Sequence, residues 1–244
     1  VTSTSRGTGI LAVVIAAVVG GVACTGTLDT AVSTPPSATG QLTTPPEAVA
    51  HPSDDFDAAR TQLEGLAVKG RAPKTGYSRD EFGQSWTDDV NVEYGHNGCD
   101  TRNDILRRDL TVVTYKPGTR DCVVVTGVLA DPYSGKTIDF VRGEKTSTAV
   151  QIDHVVAMSD AWQKGAAQWD VLKRTDFAND PINLQAVDGP TNQQKSDGDA
   201  ATWLPPNKAY RCTYIARQID VKARYEIWVT AAEKNAMTQI LAAC

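Results

Sequence analysis

The sequence predicts a single α+β domain, on three observations. Residues 55–244 hold enough Trp, Ile, Leu and Val for one compact core, and they contain no internal repeat. Within them, the alternating segment CVVVTGVLADPYSGKTIDF turns at Asp131 to Gly135 and predicts a β-hairpin with a longer loop. Beyond it come a strand with Asp153 and His154, a helical insertion, a strand by Asn183, a turn, and a helix with Asn192. That order is a ββα unit with polar residues at each joint.

The chain opens VTSTSRGTGILAVVIAAVVGGVAC, where Arg6 is the only charge before an unbroken apolar run from Ile10 to Val19. The run is too short to span a bilayer, which needs about 20 apolar residues. It reads as a secretory signal over residues 1–24, and GVAC at 21–24 resembles a bacterial lipobox that would lipidate Cys24. Gly21 stands where such boxes usually carry Leu, so simple cleavage near Ala23 and an uncleaved anchor stay open. Residues 25–54 are rich in Thr, Pro, Ser and Ala, cannot bury enough apolar surface to offset ordering, and read as a linker.

Export would place Cys99, Cys122, Cys212 and Cys244 in an oxidising compartment, where four thiols read most simply as two disulfides. Of three pairings, Cys99 with Cys122 and Cys212 with Cys244 is favoured because each pair falls within its own segment. No C-x-x-C or Cys/His cluster points to structural zinc.

From Phe56 to Leu66 the apolar spacing predicts a first helix, followed by a Gly/Pro-broken stretch to about Val92. Asp100 or Thr101 can cap a helix that turns Ile105 and Leu106 inward and leaves Arg102, Asn103, Arg107 and Arg108 on a polar face. After QIDHVV, an Ala-rich helical stretch carries Trp162 and Trp169 seven residues apart, on one helical face and read as core. Residues 181–187 read as a short strand, closed by Asp188-Gly189-Pro190. Thr191 can cap the helix that follows, running NQQKSDGDAA. Two closing helices are expected, from Trp203 to Tyr225 and from Ala231 to Ala243.

IDHVV, NLQAV and NQQKSD, in that order, resemble the HNH or His-Me finger nucleases, closest to the branch in which Asn replaces the last His. NQQKSD is also similar to the HNH domain of RNA-guided CRISPR nucleases. From GCDTRNDILRRDLT to the last Cys, the chain resembles secreted actinobacterial HNH endonuclease proteins related to the C-terminal domain of GmrSD-type restriction enzymes. The resemblance implies a ββα-metal core over residues 148–202, with a helical insertion, a preceding hairpin and closing helices. It makes His154 the general base and Asp153 and Asn192 the ligands of one divalent metal, Mg²⁺ before Mn²⁺. Asn183 would brace the loop holding His154. Lys195, one helical turn past Asn192, could offset phosphate charge.

The chemistry is coherent without the family. Phosphodiester hydrolysis needs activated water and neutralised charge; a neutral His with a pKa near 6.5 does the first and a hard cation the second. One carboxylate and one amide leave Mg²⁺ most of its sphere for water and phosphate. Asp153 and His154 are neighbours on a strand, so either the strand ends there or the two approach the reaction from opposite sides. Taken singly, Asp153, Asn183, Asn192 and Lys195 also suit turn, edge, helix-start and surface roles.

The expected partner is DNA, with RNA as a second substrate and little sequence preference, met by a monomer. A net charge of −5 does not advertise a nucleic-acid binder, but acidic totals can hide basic faces. Lys208, Arg211, Arg217, Lys222 and Arg224 form one such candidate, and Arg102 beside Cys99 is another phosphate contact. Membrane contact would come only through an N-terminal lipid or uncleaved anchor, giving a cell-surface lipoprotein or a secreted protein. Rival readings are a non-catalytic surface-binding lipoprotein and a phosphodiesterase acting on a small or lipid-linked substrate.

Overall fold

The computed structural model describes residues 56–244. The expected signal, Cys24 and the linker lie outside the described residues. Seven helices and two small antiparallel sheets make up the described chain, a mixed α+β architecture.

Helix α1 (Phe56–Gly65) buries Ala59 and Leu63 and packs on the C-terminal helices. Helix α2 (Thr101–Asp109) is capped by Asp100, whose side chain accepts from Asn103 N at 2.9 Å. Ile105 and Leu106 are fully buried on its inner face. Asn103, expected on the polar face, is buried too, because its Oδ1 accepts from Val124 N at 3.0 Å.

Strands β1 (Thr111–Tyr115), β2 (Val124–Ala130) and β3 (Thr137–Val141) form a sheet in that order. The β2–β3 turn is closed by Asp131, whose carboxylate accepts from Ser134 N at 2.7 Å and from Asp188 N at 3.0 Å. That second bond ties the hairpin to the second sheet. Disulfides join Cys99 to Cys122 and Cys212 to Cys244.

Strand β4 (Val150–His154) pairs antiparallel with β5 (Leu184–Asp188), from Val150 opposite Asp188 to His154 opposite Leu184. Their side chains alternate between two cores. Val150, Ile152, Leu184 and Ala186 pack with α2 and the three-stranded sheet, whereas Val187 joins the core containing Tyr133, Tyr214 and Ile219. Helix α5 (Gly189–Lys195) follows β5 directly, capped by Asp188 through Thr191 N at 3.0 Å. Gly189 is required there, since a Cβ would lie 2.1 Å from the Thr148 carbonyl oxygen.

The insertion between β4 and β5 is not one helix. Helix α3 (Met158–Gln163) stops before Gly165, whose φ of 134° breaks the pattern, and α4 (Val171–Asn179) starts afresh from the cap Asp170. Trp162 and Trp169 still meet one core. Residues Pro181–Asn183 form a 3-10 turn and the strand begins only at Leu184. Likewise α5 ends at Lys195, and α6 (Arg211–Tyr225) starts well after Trp203 because Pro205 and Pro206 cannot donate helical hydrogen bonds. Helix α7 (Ala231–Leu241) closes the chain behind a Thr230/Glu233 capping box.

Candidate active site

Strand alternation sends Asp153 and His154 to opposite faces of β4. The Gln151 and Asp153 side meets α5; the Ile152 and His154 side meets the segment around Trp86.

The His154 ring is 7% exposed and lies nearly parallel to the Trp86 indole, with centroids 5.9 Å apart. Its Nε2 is 2.8 Å from the carbonyl oxygen of Ala178. A carbonyl can only accept, so Nε2 carries the hydrogen and Nδ1 of the neutral ring keeps its lone pair. Burial pushes the pKa down to about 4, against the upward pull of the Ala178 bond and the Asp153 carboxylate. At neutral pH the ring is an uncharged base in one tautomer.

His154 also lines a small, half-open cleft whose other walls include Arg79, Gln84, Ser85, Trp86 and Asn179. Asn183, fully buried, grips the chain just beyond the histidine. Its Oδ1 accepts from Val156 N at 2.8 Å, and its backbone oxygen accepts from Val155 N at 2.7 Å.

On the other face, Asp153 Oδ2 accepts from the Tyr133 hydroxyl at 2.6 Å and Oδ1 from Lys195 Nζ at 2.9 Å. Lys195 donates as well to the His154 carbonyl oxygen at 2.8 Å. One turn earlier on α5, Asn192 Nδ2 donates to Gln151 Oε1 at 2.9 Å. Asn192 Oδ1 accepts no hydrogen bond among the described residues, and each Asp153 oxygen retains a lone pair. Both are hard oxygen donors, a set suited to Mg²⁺. No group of three or more His, Cys, Asp and Glu able to hold a metal occurs among the described residues.

The basic residues expected to meet phosphate have protein partners. Lys195 is 2% exposed and serves as counter-ion to Asp153. Arg102 donates to the Ser147 and Val150 carbonyls, at 3.4 and 3.2 Å, and so ties α2 to the start of β4. Within the basic stretch around α6, Arg217 and Lys222 are buried, Arg211 is half-buried, and Lys208 and Arg224 are exposed. Arg217 donates to the Ile182 and Leu184 carbonyls, and Lys222 pairs with Asp160 and Glu233.

Sequence reasoning missed Tyr133, Arg79, Trp86, Ala178 and Asn179. Tyr133 reads as a turn residue, and Arg79 and Trp86 sit in a stretch without periodicity. Ala178 and Asn179 reach His154 only because α4 folds back over the strand it follows.

Residues 100–240 match the family described as GmrSD restriction endonucleases, C-terminal domain. An uncharacterized secreted protein of Arthroderma benhamiae is 39% identical over 188 residues, which cover 76% of this chain and 84% of that protein. No solved structure matches.

Proposed function

The chain belongs to the GmrSD restriction endonuclease C-terminal domain family, and we propose that it is an exported nuclease that hydrolyses phosphodiester bonds of DNA, and of RNA as a second substrate. The observation that carries this reading is His154: neutral, with Nε2–H held by the Ala178 carbonyl, and part of a cleft wall. A ring so held presents Nδ1 to take a proton from an attacking water. Asn183 keeps the turn after β4 in place, and with it the imidazole. It is a positioning residue.

Asp153 and Asn192 would hold one divalent cation, Mg²⁺ or Mn²⁺. When bound, that cation supplies charge neutralisation at the phosphoryl and leaving oxygens. Tyr133 and Lys195 orient Asp153 through its two oxygens, a role that outer partners of metal ligands commonly serve. Export is supported by the two disulfides and by the similarity to a secreted protein of Arthroderma benhamiae.

The test is cleavage of plasmid DNA, of RNA and of small phosphodiesters by the purified protein with Mg²⁺ or Mn²⁺ and with EDTA. Metal-dependent cleavage of nucleic acid, slowed on the order of 10² to 10⁴-fold in His154→Ala, is expected. Cleavage of small diesters alone would assign the site to a small-substrate phosphodiesterase. No hydrolysis at all would leave a surface-binding protein as the better account.

A further inference from the structure

We infer that Arg79 is a phosphate-binding residue of the site, its guanidinium engaging a non-bridging oxygen of the phosphodiester that is cut; this rests on the nuclease reading above. Arg79 lies outside residues 100–240, the part of the chain that the family match covers. Its place is set by the fold. The 3-10 turn Arg79–Phe82 buries Phe82, whose ring centroid stands 6.0 Å from that of Phe177 on α4. Arg174 of the same helix donates from Nε to the Glu81 carbonyl oxygen at 2.7 Å. Helix α4 also supplies the Ala178 carbonyl that holds the His154 ring. One helix thus positions both the cation and the base.

Arg79, Gln84 and Ser85 line the cleft with His154, all three are exposed, and their side chains have no hydrogen bond or ion pair among the described residues. Neighbouring acids do not neutralise the guanidinium. Glu81 faces Arg174 at 3.6 Å, and Asp80 makes no ion pair among the described residues. Other cations close to the paired strands are occupied by the protein: Lys195 by Asp153, and Arg102 by the Ser147 and Val150 carbonyls. At Arg79 the whole fork of N–H donors is left for an anion.

A phosphodiester suits that set, because the fork matches phosphate oxygens and the Gln84 amide and Ser85 hydroxyl add neutral donors without a competing carboxylate. The size of the cleft says where it lies. Its enclosed space is about 20 Å³, room for roughly one water and too small for a base or a sugar. Substrate therefore lies across the mouth with its phosphate at Arg79, and the reacting water comes from the enclosed side, where the imidazole is.

The experiment treats the full chain carrying His154→Ala with phenylglyoxal, an arginine reagent, alone, with a single-stranded DNA 12-mer, and with inorganic phosphate at the same phosphate concentration. Peptide mass spectrometry reads each arginine separately. Arg79 should react readily in the free protein and about 10-fold more slowly with DNA at ten times its Kd, whereas inorganic phosphate should protect little. Arg120, exposed and not part of the cleft, is the reference and should keep its rate. In the chain with His154 intact, Arg79→Ala should lower kcat/KM on DNA roughly 10²-fold at an unchanged melting temperature, and Arg79→Lys should recover part of it by restoring charge without the fork.

An Arg79 that is unreactive in the free protein, or that reacts equally with and without DNA, overturns the assignment. So does protection that Arg120 shares to the same extent, and so does an Arg79→Ala protein that cleaves as fast as the parent. Protection by inorganic phosphate equal to that by DNA overturns the diester as the ligand. The two readings fail separately. A parent that cleaves DNA while Arg79 stays unprotected keeps the nuclease and sinks the phosphate contact, whereas protection of Arg79 by DNA in a protein whose parent cleaves nothing keeps the contact and sinks the nuclease.

Discussion

Nε2 of His154 donates to the carbonyl oxygen of Ala178 across 2.8 Å, a bond between the last residue of β4 and the end of the helix inserted after it. The insertion is thus more than a spacer between paired strands. It sets the tautomer of the imidazole and supplies Asn179 to the same cleft.

Removing the ring should remove the chemistry without removing the fold. His154→Ala is expected to lower the cleavage rate on the order of 10² to 10⁴-fold while Mg²⁺ binding is retained. Single-turnover assays together with metal-binding calorimetry separate the two effects.

The pH profile should carry the signature of burial. With its pKa lowered to about 4, His154 stays neutral far below the range of an exposed imidazole. Cleavage is expected to hold steady from pH 8 to about 5 and to fall only as pH approaches 4. A loss of activity centred near 6.5 would contradict this.

Asn183→Ala should damage stability and rate together. The substitution leaves the buried Val156 N–H without its acceptor, a cost of about 1–3 kcal/mol. Urea denaturation measures that term, and kcat at saturating substrate measures the loss of histidine positioning.

A buried ion network between α3, α6 and α7 predicts a strong stability effect. Lys164 Nζ lies 2.7 Å from Asp160, 2.9 Å from Asp199 and 2.6 Å from Glu233, and Lys222 bridges Asp160 and Glu233 from α6. Lys164→Met leaves these carboxylates undercompensated and should cost about 3–5 kcal/mol. Burial alone would raise the Asp199 pKa, but hydrogen bonds and charge from Lys164 and Arg71 together hold it well below the ordinary carboxylate value. A folded-state pKa below the unfolded one means stability is fully present above about pH 4 and is lost as pH falls further. Lys222 works in the opposite sense: burial opposes its charge, yet Asp160 and Glu233 raise its pKa to about 12, so its contribution is lost as pH rises through that value. Thermal melts from pH 2 to 12 should show both edges.

Disulfide loss gives the last test. Cys212 and Cys244 are 32 residues apart and anchor the C-terminal residue to α6. Their replacement by Ser should lower stability by about 2–4 kcal/mol, read from the urea midpoint.

Local signals carried much of this. Alternation around Asp131 to Gly135 marked the hairpin, Asp100 marked its helix start, and IDHVV, NLQAV and NQQKSD marked β4, β5 and α5 in order. Those are properties of neighbouring residues, so they survive in one dimension. Breaks were less visible: Gly165 and Pro205-Pro206 cut short helices whose composition alone reads as continuous.

Tertiary structure alone decided what each charge does. Lys195 and Arg102 are polar residues at helical positions, and nothing local says whether such a group faces solvent or a buried partner. Packing settled both, turning Lys195 onto Asp153 and Arg102 onto the carbonyls before and at the start of β4. The cleft is likewise nonlocal, since Arg79, Trp86, His154 and Asn179 come from three separated segments. By itself the sequence determined which chemistry the strand–strand–helix unit can offer. Which side chains surround the imidazole, and with what charge, depended on how distant segments close around β4, because burial and Coulomb interactions act through space and not along the chain.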